Sequence, residues 1–154
     1  MKKILLLIVV ALAQTLLTAG AFAQEHGTAA EAKAMVEKGL ALIKEVGVEK
    51  AAAEITAKDG KWLNKDIYLV IKNFDGTMIA HGVNKGMVGK NQLEAQDANG
   101  KFFSKDINEL VRTKGQGWTD YMFSNPITKK IGQKSIYAVK IPGYDGWIGA
   151  GIYK

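Results

Sequence analysis

The chain has 154 residues, a formal charge of +6 and no cysteine. That length suits one domain with a real core after any leader is removed. The missing cysteines exclude thiol catalysis, disulfides, c-type haem attachment and cysteine-ligated zinc. The basic excess is almost all lysine, with Arg112 the one arginine, and is spread without a basic run interleaved with aromatics, so nucleic acid is not an expected partner.

Lys2 and Lys3 precede an apolar run from Ile4 to Ala13, and Ala21-Phe22-Ala23 fits the small-x-small pattern of signal-peptidase cleavage. Residues 1–23 are therefore read as a signal peptide, with 24–154 a single domain exported to the periplasm or secreted. Uncut, Ile4 to Ala23 would serve as an anchor, since it carries no charge and is just long enough to span a bilayer. His26 would lie in a frayed new N-terminus.

Thr28 with Glu31 forms a capping box, and Ala32, Met35, Val36, Leu40, Ile43 and Val46 follow at helical spacing up to Gly47. A shorter helix is expected over Val48 to Ala57. Ile67 to Phe74 is rich in β-branched and aromatic residues, Asp75-Gly76 is a hairpin turn, and Thr77 to His81 is the return strand. Gly82 to Gly100 is glycine-punctuated, with one short helix expected near Leu93. Ser104 to Lys114 is helical again. Strands are expected over Gly117 to Phe123, Lys134 to Lys140 and Trp147 to Tyr153, joined by turns at Asn125-Pro126 and Gly143 to Gly146. Hairpins on both sides of a central insertion imply an α+β domain, with an antiparallel sheet of about five strands and helices packed on one side of it.

Catalytic patterns are hard to find. Ser104, Ser124 and Ser135 sit in no nucleophile elbow, His81 has no companion ligands for a metal, and Gly82, Gly86 and Gly89 do not make a phosphate loop. No enzyme activity, no cofactor and no metal are expected. Aromatic and polar residues on the strands remain as candidates to line a pocket: Tyr68, His81, Trp118, Tyr121, Lys134 and Tyr137. Trp118 and Tyr121, like Lys134 and Tyr137, differ by an odd number, so a regular strand turns each pair to opposite faces unless a bulge or strand end intervenes.

The runs Asp66 to Ile71, Phe74-Asp75-Gly76-Thr77, Ala80-His81 and Val88-Gly89-Lys90-Asn91 resemble the central motif of single Cache domains, PAS-like sensors that work outside the cytoplasm. The likeness continues through Gln96 to Lys101, Gly115 to Trp118 with Tyr121, Lys134 to Tyr137, and Trp147 to Tyr153. It implies a PAS-like Cache fold, with a long N-terminal helix against the sheet and a small ligand held between the sheet and the central segment. Carried onto these positions, the six candidates become ligand-binding residues. Lys134 would supply a countercharge for a small organic acid, His81 a donor, and the tyrosines hydroxyls. The arginine-rich motif with which some two-module Cache domains hold amino acids is missing, which argues against a free amino acid. A membrane receptor or kinase is the expected partner. Two other readings stand beside this one: an accessory interaction protein without a working pocket, and a small-substrate enzyme using His81 as base.

Overall fold

The computed structural model describes residues 26–57 and 59–154. The expected leader lies outside them. Among the described residues no helix is long and apolar enough to cross a membrane.

Helix α1 (Ala29–Val46) begins at the capping box read from the sequence: Glu31 N–H donates to Thr28 Oγ1, and Thr28 N–H donates to Glu31 Oε2. Gly47 ends it at φ +84°, a conformation that favours glycine, and helix α2 (Val48–Thr56) follows at once. His26 is not frayed. Its Nδ1 lies 2.6 Å from Asp66 Oδ2, because a fully buried carboxylate there also takes the Gly27 N–H and the Asn125 amide.

Six antiparallel strands form one sheet: β1 (Leu63–Asn64), β2 (Ile67–Asn73), β3 (Met78–His81), β4 (Gln116–Ser124), β5 (Ile131–Lys140) and β6 (Gly146–Tyr153). The spatial order is β1-β2-β6-β5-β4, and β3 also pairs with β2. Strand β1 adds to the five expected strands; two residues are too few to show periodicity. Around Leu93 there is a turn rather than a helix, and the short 3₁₀ turn of the central segment lies at Lys85–Met87. Asn91 holds this segment to the hairpin, donating its amide to Asp75 O and bridging to Thr77.

The helices do not share one side. Helices α1 and α2 cover the face that carries Ile67, Leu69, Ile71, Ile148 and Ala150. Helix α3 (Phe103–Lys114) covers the other, where Phe103, Ile107 and Val111 join Tyr68, Val70, Ile136, Ala138 and Trp147. Strand β2 is buried on both faces because helices cover the sheet on both sides there.

Candidate functional site

Alternation along β2 points Tyr68, Val70 and Lys72 to the α3 face. On β5 the same face receives Lys134 and Ile136, and on β4 Tyr121 and Phe123. Strand β3 reaches it through a bulge. Val70 pairs with His81 and Ile71 with Ala80, but Lys72 pairs with Met78, leaving Ile79 as an extra residue. That residue resets the parity, so Met78 and His81 both face the same cavity although three positions apart.

The cavity is small, about 20 Å³, room for a water molecule. It shares Tyr68, His81 and Phe123 as a wall with an open vestibule of about 400 Å³ beside the β4–β5 turn. Asn125, on that turn, accepts from the amides of Ile127 and Thr128 and donates to Asp66. The same turn is tied to the end of β6, where Tyr153 Oη donates to Ser124 O at 2.8 Å.

Lys134 is 2% exposed and donates to Tyr68 Oη at 2.7 Å. Its ammonium lies 4.0 Å from the Tyr68 ring centroid and 5.3 and 5.2 Å from those of Phe123 and Tyr153, an aromatic cage for a cation. Gly151 makes this path possible, since a Cβ there would overlap Lys134 Cε. His81 stacks on Tyr68 with ring centroids 4.8 Å apart. Its Nδ1 accepts from the amides of Asn84 and Val83, at 3.1 and 3.4 Å. The proton of the neutral ring therefore sits on Nε2. Burial, then the charges of Lys134 and Lys72, push the His81 pKa down to about 4. His81 is a neutral donor at pH 7. Burial pushes the Tyr121 hydroxyl well up, with Tyr68 adding to it.

Four of the six sequence candidates thus meet: Tyr68, His81, Tyr121 and Lys134. Trp118 and Tyr137 do not. They pair with each other on the opposite face at 5.3 Å between centroids and pack against the α1 side of the core. The β4–β5 ladder runs without a register shift from Gln116↔Val139 to Ser124↔Ile131, so no bulge rescues them. Plain strand parity holds there.

Lys72 is the residue that sequence reading missed. It is 2% exposed and donates to Gln92 Oε1 at 3.0 Å and to Ser104 Oγ at 2.9 Å. Burial, then the charge of Lys134, lowers its pKa to about 7. The apolar run around Lys72 was visible in the sequence, but only the covering of β2 on both faces removes its route to solvent. Asn108 completes the α3 side, donating to Phe74 O and accepting from Trp147 Nε1. No carboxylate lines the cavity, and the described residues hold no group of three His, Asp or Glu side chains suited to a metal.

A long helix thus covers one face of the sheet, and a helix with an irregular segment covers the other, above a small cavity in which a few polar groups sit among apolar side chains. The chain belongs to the single Cache domain 2 family, whose profile matches residues 10–154. It is 30% identical over 111 residues to the sensor histidine kinase MctS of Rhizobium johnstonii, a match covering 71% of this chain and 23% of the kinase. The chain thus corresponds to less than a quarter of that relative's length. Among solved structures it is similar to a methyl-accepting chemotaxis protein from Vibrio parahaemolyticus (TM-score 0.70, 23% identity, 80% of this chain and 86% of the other). It is also similar to a Cache chemosensory domain described for its carboxylic acid recognition (TM-score 0.64, 22% identity, 80% and 86%). These structural likenesses establish the fold.

Proposed function

We propose that this protein is a non-enzymatic sensor domain working outside the cytoplasm, and that its cavity binds a small organic acid. The observation that carries the reading is Lys134: a buried ammonium with no acidic partner among the described residues, held by a tyrosine hydroxyl and caged by aromatic rings. An unpaired buried charge costs several kcal/mol, and an incoming carboxylate offsets that cost. His81 Nε2–H and the Tyr121 hydroxyl are further donors on the same cavity wall. Carboxylic acid recognition by a Cache domain of the same fold supports the ligand class. The likeness to a histidine kinase and a chemotaxis receptor supports signalling through a membrane receptor or kinase. In the closed arrangement the cavity holds no more than a water, so binding requires the Tyr68–His81–Phe123 wall to open toward the vestibule.

A thermal-shift screen of the purified protein against short-chain acids tests this. A ligand at about a hundred-fold excess over its Kd adds about 2.7 kcal/mol to stability, and Lys134→Met should lose that gain. If no acid raises the melting temperature, the acid-binding reading fails and an accessory protein without a pocket becomes the better description.

A further inference from the structure

A single carboxylate held at Lys134 leaves Lys72 unexplained. Two buried lysines line the cavity: Lys134 meets Tyr68, and Lys72 meets Ser104 and the Gln92 side chain. Both ammonium groups are buried at 2% exposure, and neither has an ion-pair partner among the described residues. The Lys72 ammonium also lies 5.4 Å from the Phe103 centroid and 5.7 Å from that of Trp147. The side chains packed against it, Gln92, Ser104, Phe103 and Trp147, are all neutral, and the one charge acting on it is that of Lys134. A methionine would spare the desolvation cost of an ammonium and the repulsion from Lys134, and two neutral hydrogen bonds, to Gln92 and Ser104, are all that the fold sets against them.

We infer that the cavity takes a short dicarboxylate, one carboxylate on Lys134 and Tyr68 and the other on Lys72 and Ser104. The inference rests on the acid-binding reading above and narrows it. Two buried cations facing one space are matched by one ligand with two anionic ends, which removes their mutual repulsion as well as their separate burial costs. Ser104 and Gln92 belong to different elements, the first turn of α3 and the central segment. Lys72 ties both to the sheet through its own hydrogen bonds, so a carboxylate placed on it sits where the three elements meet. The partly buried Phe123, on the wall shared with the vestibule, is the side chain through which the cavity can widen.

Isothermal titration of the purified protein compares acids of equal carbon number: malonate against propionate, and succinate against butyrate. At least one dicarboxylate should bind about ten-fold or more tightly than its matched monoacid, as two charge-assisted ends exceed one. In Lys72→Met, checked for a cooperative melt, that preference should fall to about three-fold or less. Monoacids binding as well as or better than the diacids to the wild-type protein would overturn the inference and leave the acid-binding reading standing. A preference that survives Lys72→Met would overturn it equally, since Lys72 would not be the second end. If none of the four acids binds, and the wider acid screen is also silent, it is the acid-binding reading itself that fails.

Discussion

On β2, Ile67, Leu69 and Ile71 meet α1 and α2, whereas Tyr68, Val70 and Lys72 meet the cavity and α3. The first set is wholly apolar and closely packed. Gly39 lets α1 approach so near that a Cβ there would come within 2.5 Å of Ile148 and 2.8 Å of Leu69. The second set includes a buried lysine, Lys72, and sits with a second, Lys134, a buried histidine and two hydrogen-bonded α3 side chains, Ser104 and Asn108. One strand thus serves two purposes, with burial for stability on one face and costly polar burial on the other. The costly face is the one that can gain from a ligand.

The comparison is broken most directly on the apolar face. Leu69 is fully buried in the α1 layer, and Leu69→Ala removes its methyls from a site too tightly packed to collapse. The expected loss is about 2–5 kcal/mol of stability, read from denaturant melts. Because Leu69 points away from the cavity, whatever acid affinity the wild-type protein has should be kept wherever the variant stays folded. A small loss of stability accompanied by lost acid binding would show that the two faces are not separate.

The cavity face should answer to pH. His81 has its pKa lowered from 6.5 to about 4 in the fold. The unfolded chain therefore binds the proton first as pH falls, and stability present above pH 6.5 is lost progressively down to about pH 4. That loss is about 3 kcal/mol at most. Lys72, lowered from 10.5 to about 7, has the same sign in a different window: its contribution is complete above pH 10.5 and declines toward pH 7. Lys72→Met should flatten the alkaline part of the stability–pH curve and shrink the acid part only slightly, since burial and Lys134 act on His81 more than Lys72 does. It should also raise the melting temperature at neutral pH, since it removes a buried amine whose protonation the fold opposes. A Lys72→Met protein less stable than the wild type at pH 7 would mean that the Gln92 and Ser104 contacts outweigh desolvation.

Local signals were legible in the sequence, and pairings across the sheet were much less so. The Thr28–Glu31 box, Gly47 and the Asp75-Gly76 turn each depend on neighbours within a few residues, and the elements they bound formed as read. Which face α3 covers is decided by the crossover after the central segment, and no local pattern records it. The Met78–His81 bulge is likewise a property of pairing with β2, so the shared orientation of those two side chains appears only in three dimensions. Lys72 was hidden for a different reason. A lysine in a strand is solvated by default, and only the burial of β2 on both faces makes it a cavity residue.

The smallest expected effect is also the sharpest test of strand parity. Tyr137 lies between Ile136 and Ala138, both of which face the cavity side, and is half-buried beside Trp118, with the Lys33 ammonium 5.3 Å from its ring centroid. Tyr137→Phe keeps that packing and removes only a hydroxyl on the α1 face. Stability should change by no more than about 0.5 kcal/mol, and affinity for any acid that the protein binds should stay within about two-fold. Lys134, three residues earlier on the same strand, should abolish binding when changed to Met. A Tyr137→Phe variant that lost acid affinity as Lys134→Met does would mean that the ligand reaches through the sheet or that the binding site lies on the helical face. Equal effects at two positions of opposite parity cannot come from a cavity on one side of a regular strand.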